Sequence, residues 1–218
     1  RMIAGLDEPS AGDVYVDGVN LARQSNGERC RVRARLLAHV HQRPSDNLLA
    51  HLTAIDQVER VARRRDASRD DAQRMLERLG LADRADHFPH QLSGGEQQRL
   101  AFARGAVGEP ALIIADEPTA ELDTSSTRLV LDAIERLAAD GITVLLATHD
   151  PQVLERVDEV VTLRDGSVAS VTTGGAELAV IDQAGRIQLP PDVRALFTDH
   201  RARISWDPVR RRLTVEEP

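Results

Sequence analysis

Lysine is absent from this sequence, and every one of its 28 basic residues is an arginine. Chemistry that requires a lysine side chain is therefore excluded. Cysteine is also nearly absent, and because Cys30 is the single one, no internal disulfide can form. No apolar run reaches the roughly 18 residues that a membrane-spanning helix needs. From these absences we expect a chain that is soluble by itself and resides in a reducing compartment.

An excess of acidic residues argues against one class of partner. The chain has 35 acidic and 28 basic residues, a formal net charge of -7 and a pI near 5.5. Attraction to nucleic acid normally needs a basic face, so nucleic acid is not an expected partner. With 218 residues and 41% hydrophobic content, the chain is long enough for one α/β core and a small additional module.

The hydrophobic pattern of the first half changes from strand-like to helical. Apolar and polar residues alternate over residues 13–18, which indicates a strand, and residues 36–42 form a second candidate strand. A helical pattern follows, in which Ser68 and Asp71 are expected to cap a helix that stops at Gly80. We therefore predict a helical insertion after the second strand.

From residue 112 onward, buried-type strands alternate with a helix. Residues 112–115 and 142–146 are apolar runs typical of strands buried on both faces, whereas residues 124–140 have helical periodicity and precede Gly141. This alternation is typical of a mostly parallel sheet flanked by helices, so the predicted fold class is α/β. The predicted organisation is a core at residues 1–43 and 93–173, a helical subdomain at residues 44–92 and a small β-rich module at residues 174–218.

Residues 92–99 have the sequence LSGGEQQR, the most specific motif in the chain. Ser93 can cap the helix that follows, with Glu96 as its capping-box partner. Gly94 and Gly95 leave backbone N–H groups open to an anion, so this helix start suits a phosphate. An ordinary capped helix would explain Ser93 and Glu96, but it would not explain the paired glycines.

Two carboxylates follow the apolar strand at residues 112–115. Asp116 and Glu117 would lie at the carboxyl end of a parallel strand, where open sheets bind ligands. There Asp116 can hold Mg²⁺, directly or through water, and Glu117 can act as general base on an attacking water. His149 follows the next strand, ahead of a helix started by Pro151, and can reach a terminal phosphate. Read singly, these side chains are equally consistent with a solvated acidic loop and a surface histidine.

Taken together and in chain order, these motifs resemble the ATP-binding cassette (ABC) ATPase family over residues 1 to about 173. The resemblance implies a P-loop NTPase-like sheet, with residues 44–92 as the subdomain that contacts a transporter. It implies Glu117 and His149, the switch histidine, as catalytic residues, and Asp116 with the Q-loop residue Gln42 as metal contacts. The implied ATP-binding residues are Gln42, the signature residues Ser93, Gly94, Gly95 and Glu96, and the D-loop residue Asp123.

The same resemblance implies cofactors and partners. ATP and Mg²⁺ would be bound between two ATPase subunits arranged head to tail, identical or different, so that Ser93 would face nucleotide held mainly by the other subunit. A transmembrane permease subunit would complete a transporter, with this chain in the cytoplasm on the inner face of the cell membrane. Residues 117–123 and 147–150 are more similar to export-type cassettes, such as lipoprotein or macrolide exporters, than to most importers.

One motif of this family is absent. Its members carry G-x-x-x-x-G-K-[ST] ahead of the stretch that matches residues 1–6, and usually a base-stacking aromatic residue further upstream. In that motif the backbone and the lysine hold the phosphates, and the hydroxyl binds Mg²⁺. Because the chain has no lysine, it contains no displaced copy and is expected to bind MgATP poorly. The alternatives are a chain shortened before residue 1, favoured by the non-methionine start and helix-like opening, and a natural remnant.

Residues 174–218 have their own pattern. It predicts strands at residues 177–181, 186–189, 203–206 and 211–215, a turn at residues 182–185 and a helical turn at residues 191–196. This segment is similar to the swapped-hairpin module of AbrB-type transcription regulators, notably in residues 180–190 and Arg194. The similarity implies a dimerisation or regulatory role, while a hairpin packed on its own cassette is an almost equal alternative. The alternative function for the whole chain is a non-hydrolysing dimerisation or regulatory protein that acts through this module, with DNA as a minor option among its ligands.

Overall fold

The computed structural model describes residues 1–181, 185–189, 191–197 and 201–216. The chain divides into two compact units, Arg1–Arg156 and Val157–Pro218, and each is described by itself. Within the described ranges, no helix combines the length and the apolar character needed to cross a membrane.

The first residues of the first unit have the backbone pairing of a helix end. The N–H of Gly5 donates to the carbonyl of Met2, and the N–H of Leu6 donates to the carbonyl of Arg1. Gly5 has a φ of 64°, the left-handed conformation that this pairing requires. The prediction of a helix-like end at Gly5 is confirmed.

A short hairpin follows, where the sequence predicts a single strand at residues 13–18. Strand β1 (Tyr15–Val16) pairs antiparallel with β2 (Val19–Asn20). Asp17 and Gly18 between them have φ values of 47° and 74°, which is the conformation of a two-residue hairpin turn. The predicted strand is therefore wrong in extent, because its last two residues turn the chain back.

The other helices and strands of the first unit alternate along the chain, and from residue 112 onward they do so as the sequence predicts. In chain order they are α1 (Asn26–Leu36), β3 (Leu37–Val40), α2 (Pro44–Asn47), α3 (Ala54–Ala62), α4 (Arg69–Arg78), α5 (Gly94–Ala106), β4 (Leu112–Asp116), α6 (Thr124–Ala139), β5 (Thr143–Ala147) and α7 (Pro151–Leu154).

The central sheet has the strand order β3-β4-β5, and both pairs of neighbours are parallel. Alternate residues of β3 and β4 are almost completely buried, namely Ala38, Val40, Ile113 and Ala115. Helix α5 packs against β3 and α6, and α6 packs against β5. Each of these helices buries large apolar side chains, including Phe102 of α5, so the core lies between the sheet and these two helices.

The segment between β3 and α5 is helical, as predicted. Helices α3 and α4 pack on each other and on α5. The side chain of Ser68 accepts from the backbone of Asp71 and the Asp71 carboxylate accepts from the backbone of Ser68, which confirms the predicted capping box of α4. Gly80 follows this helix with a φ of 70°. Local sequence therefore sets both ends of α4.

The described residues of the second unit form two antiparallel sheets. Strands β6 (Glu159–Arg164), β7 (Ser167–Thr173) and β8 (Ala176–Ala179) form the first sheet, and β9 (Arg203–Asp207) pairs with β10 (Arg212–Glu216) in the second. Helix α8 (Pro191–Arg194) matches the predicted helical turn. Ile181 and Ile187 form an isolated antiparallel bridge. The turn predicted between them, at residues 182–185, lies mostly outside the described residues.

The division into units differs from the boundary predicted at residue 174. The units divide between Arg156 and Val157. Gly174 and Gly175, with φ values of 59° and 80°, form the turn that joins β7 to β8. The predicted boundary therefore falls at the turn of a hairpin inside one sheet.

Candidate functional site

The carboxyl ends of three parallel strands bring four of the nine predicted site residues to one edge of the sheet, namely Gln42, Asp116, Glu117 and His149. In the register of the sheet, Val40 lies opposite Ala115, and Asp116 lies opposite Ala147. Gln42, Glu117 and His149 therefore each lie two residues past a matched position of β3, β4 or β5. Ligands of open parallel sheets bind at this edge.

Glu117 and His149 are in direct contact. The Nδ1 atom of His149 donates to Glu117 Oε1 over 2.6 Å, and Thr148 Oγ1 donates to Glu117 Oε2 over 3.2 Å. The His149 side chain is 88% exposed, whereas that of Glu117 is only 21% exposed. Both oxygens of the Glu117 carboxylate are therefore held from one side by the loop that follows β5.

The backbone at Glu117 is held in an unusual conformation. Its φ is 43°, in the left-handed region that costs a non-glycine residue roughly 1–3 kcal/mol. Its N–H donates to the carbonyl of Ala147 over 2.8 Å, which extends the β4–β5 pairing by one bond past the strand end. The neighbouring strand thus imposes the conformation that turns this carboxylate toward His149.

A second set of hydrogen bonds supports this contact, and the sequence motifs assign no role to its members. Thr148 Oγ1 accepts from the backbone N–H of Asp150 over 3.0 Å. The Asp150 carboxylate caps α7 at Gln152 and accepts from the hydroxyl of Thr119, which is almost completely buried. These bonds join the loop after β4 to the loop after β5. The only sequence signal for them is that Thr119, Thr148 and Asp150 are polar residues beside the predicted site residues.

Asp116 and Gln42 are exposed at the same edge of the sheet. Within the described part of the chain, neither forms a hydrogen bond with another predicted site residue. His39 of β3 and His41, the residue after the end of β3, lie on the same strand end, with Nδ1 of His39 3.3 Å from Nε2 of His41. Partial burial lowers the pKa of His39, and the neighbouring His41 lowers it further, while the Asp116 carboxylate opposes this shift. Asp116 directly follows Ala115, which pairs with Val40, so it lies next to the end of β3.

The predicted capping box at the start of α5 is confirmed. The Glu96 carboxylate accepts from the N–H of Ser93 over 2.8 Å, and the Ser93 hydroxyl accepts from the N–H of Glu96 over 3.2 Å. Arg84 donates to the other oxygen of Glu96 over 2.9 Å. The backbone hydrogen bond from Ser93 is the largest of the effects that lower the pKa of Glu96. Glu96 is thus occupied within its own chain, whereas Ser93 and Gly94 are exposed.

Gly95 has a packing role that the sequence did not predict. A Cβ atom at this position would lie 2.8 Å from Cβ of Ser126, so α5 and the start of α6 approach too closely for any larger residue. At Gly94 the nearest atom would be Leu122 Cδ2 at 3.4 Å, an ordinary contact. The two glycines are therefore not equivalent, and only Gly95 is required by the packing of its own chain.

Asp123 caps α6. Its carboxylate accepts from the backbone N–H groups of Ser125 and Ser126 and from both serine hydroxyls. The hydrogen bond from the Ser125 hydroxyl, followed by those from Ser126, lowers the pKa of Asp123 well below its ordinary value. In this conformation Asp123 organises the start of the helix against which Gly95 packs.

Comparison with known proteins identifies the family that this chain is similar to. The family model described as ABC transporter matches residues 1–120. The chain is 44% identical over 183 residues to the macrolide export ATP-binding/permease protein MacB 1/2 of Paracoccus denitrificans, covering 82% of this chain but only 27% of that protein. It is 37% identical to the lipoprotein-releasing system ATP-binding protein LolD of a Shewanella strain, covering 78% of this chain and 75% of that protein.

A solved structure is similar to most of the chain. It is a dimeric post-hydrolysis state of the ATP-binding cassette MJ0796 bound to ADP and Pi, with 31% sequence identity and a TM-score of 0.66. The alignment covers 79% of this chain and 77% of that one.

Proposed function

Because this chain belongs to the ABC transporter family, we propose that it is the ATP-hydrolysing part of a membrane transporter, with export as the direction of transport. The observation that carries the proposal is the contact of Glu117 with His149 and Thr148 at the carboxyl edge of a parallel sheet. A largely buried carboxylate that is oriented by two hydrogen bonds is suited to act as a general base. The export direction is supported by the similarity to proteins named for macrolide export and lipoprotein release.

ATP and Mg²⁺ are the proposed ligands, and the residues present fit a hard cation. Asp116 offers carboxylate oxygens and Gln42 an amide oxygen, both on exposed side chains at the ends of adjacent strands. When bound, Mg²⁺ neutralises charge on the phosphate oxygens during phosphoryl transfer. Asp116 and Gln42 would hold the cation, directly or through water.

In the proposed reaction Glu117 would contact the attacking water, and His149 would contact the terminal phosphate. Glu117 would accept the proton of the water, with Thr148 keeping one carboxylate oxygen in place. Since Nδ1 of His149 donates to Glu117, the other ring nitrogen, Nε2, is the one left to contact a phosphate oxygen. The hydrogen bond between Thr148 and Asp150 would hold the loop that carries His149 in place next to Glu117.

The exposed start of α5 is the proposed contact with a second ATPase subunit. Ser93 and Gly94 would face nucleotide held mainly by that subunit, whereas Gly95 and Glu96 shape the helix start. The dimeric state of the similar cassette structure supports this arrangement. We propose a permease in the membrane as the further partner, and this chain would then lie on the inner face of the cell membrane.

The chain of 218 residues is proposed to bind MgATP weakly by itself. It has no lysine to pair with the β- and γ-phosphates, and no glycine-rich phosphate loop with that lysine. Isothermal titration of the purified chain with MgATP tests this directly. Saturable binding in the low micromolar range would contradict the proposal.

The transporter role is tested by purification from membranes. An affinity-tagged chain, expressed from its natural chromosomal position, should co-purify in detergent with an integral membrane protein. The matched control is the isolated second unit, residues 157–218. Recovery of the chain without any membrane protein in detergents that preserve such complexes would contradict the transporter role.

A further inference from the structure

Arg65 makes an unusual set of hydrogen bonds at the junction between the helical segment and the core. It is the last residue of a 3₁₀ turn, Arg63–Arg65, that follows α3. Its Nε donates to the carbonyl of Ala34 over 3.1 Å and its Nη2 to that of Leu37 over 2.7 Å. Its Nη1 donates to the carbonyls of Gly105 over 2.6 Å and Val107 over 2.9 Å. One guanidinium group therefore binds four carbonyls that are far apart in the sequence.

These four carbonyls belong to two helix ends. Ala34 lies in the last turn of α1, and Leu37 is the residue that ends α1 and begins β3. Gly105 lies in the last turn of α5, and Val107 is its C-terminal cap. The last carbonyls of a helix have no partner within the helix and carry a partial negative charge. Two such ends meet at the single positive charge of Arg65.

No carboxylate within the described residues forms an ion pair with Arg65. Burial accordingly lowers the pKa of its guanidinium to about 10, which still leaves it charged at neutral pH. A planar group with five N–H donors can serve four carbonyls at once, whereas a lysine ammonium has three donors and no fork. The arrangement is specific for arginine.

Gly108 makes room for this side chain. A Cβ atom at position 108 would lie 2.6 Å from Cβ of Arg65, and Gly108 has a φ of 73°. Any other residue would displace Arg65 and strain the backbone. The loop after α5 thus has a glycine at the position that lies directly against the Arg65 side chain.

We propose that Arg65 is a positioning residue that fixes the signature segment, at the far end of α5, relative to Gln42, at the far end of β3. Helix α5 is about 20 Å long, begins beside Ser93 and ends at the carbonyls that Arg65 binds. Strand β3 begins at Leu37, whose carbonyl Arg65 also binds, and Gln42 lies two residues past the end of this strand. The proposal rests on the site assigned above, because Ser93 and Gln42 matter only if that site binds nucleotide.

A distance measurement without nucleotide tests the proposal separately from the function. Cys30 is exposed and is replaced by serine, after which spin labels are attached at Ser45→Cys, beside Gln42, and at His90→Cys, just ahead of the signature. Double electron–electron resonance then reports the distribution of distances between the labels. R65K and G108A are compared with the parent and with R64K, since Arg64 is an exposed neighbour.

The parent and R64K are expected to give one narrow peak, and R65K and G108A to lose it in favour of a broad distribution while remaining folded by circular dichroism. A merely structural role would lower the melting temperature and leave the peak unchanged at temperatures well below melting. An unchanged narrow peak in folded R65K and G108A overturns the proposal. Loss of ATP hydrolysis in other experiments would leave this result unaffected, so the two failures are distinguishable.

Discussion

Gly95→Ala is the substitution whose effect follows most directly from the structure. The added Cβ would lie 2.8 Å from Cβ of Ser126 and 3.0 Å from its hydroxyl, so α5 and α6 must separate. Such overpacking costs about 1–3 kcal/mol, from which the ordinary gain of about 0.5–1 kcal/mol for glycine to alanine in a helix is subtracted. The expected net loss in the free energy of unfolding is therefore between about 0 and 2.5 kcal/mol, with a central value of about 1 kcal/mol.

Gly94→Ala is the matched control for this prediction. Its Cβ would be at an ordinary distance, 3.4 Å, from Leu122, so the helix gain should dominate and stability should stay equal or rise slightly. Urea denaturation followed by circular dichroism measures both variants. Each kcal/mol should shift the melting temperature by about 2–4 °C in a domain of this size.

A double-mutant cycle locates the cause. Ser126→Gly removes the Cβ that the new methyl would contact, so Gly95→Ala should be better tolerated in that background than in the parent. A loss for Gly95→Ala that is the same in the parent and in the Ser126→Gly background would refute the contact as its cause. Equal stability of the Gly94→Ala and Gly95→Ala variants would refute the packing argument itself.

The remaining predictions concern pH, catalysis and the subunit interface. Because the pKa of Asp123 is lowered in the folded chain, its contribution to stability is complete above the unfolded-state value of about 4 and is lost progressively as the pH falls from there toward the lower folded-state value. Melting temperatures between pH 7 and pH 3 should therefore fall less steeply for Asp123→Asn, with the difference from the parent appearing only below about pH 5. Catalysis is tested in a chain that carries a G-x-x-x-x-G-K-[ST] segment ahead of Arg1. There Thr148→Val should lower kcat by roughly 10-fold, because one hydrogen bond to the Glu117 carboxylate is lost, while Thr148→Ser should stay near the parent. Equal rates for both variants would rule out a role of Thr148 in orienting Glu117. In the same chain, Ser93→Arg should abolish ATP-dependent dimerisation in size-exclusion chromatography without lowering the affinity of the monomer for ATP, and a fully dimeric variant would contradict the proposed interface.

Local signals predicted most of the elements of the first unit. Ser68 and Asp71 bracket a helix start and Gly80 follows the end of the same helix, so α4 needs no tertiary information. The strands β4 and β5 also lie where the sequence places them, to within a residue. The prediction that β5 is buried on both faces is wrong, because its residues alternate between exposed and half-buried. The polar residues behind these strands meet because parallel strands end at one edge.

Contacts between distant segments could not be predicted in this way. The close approach of Gly95 to Ser126 depends on how α5 packs on α6, and a glycine in a helix start gives no signal of it. The four carbonyls bound by Arg65 come together only in the folded chain. Arg65 itself lies in a run of three arginines, which in the sequence is typical of a solvated, charged helix end. At Gly174 the sequence suggested the start of a module, whereas the structure has the turn between β7 and β8, because small residues suit either feature.

The most direct test of the proposed function is steady-state ATP hydrolysis by a chain with the phosphate-binding segment ahead of Arg1, compared with its Glu117→Gln variant. Glutamine keeps the size of the side chain and its hydrogen bond to Thr148, but it cannot accept a proton from water. We expect turnover by the parent and none by the variant, with ATP binding retained in both. Turnover by the Glu117→Gln variant at the rate of the parent would contradict the assignment of Glu117 as general base.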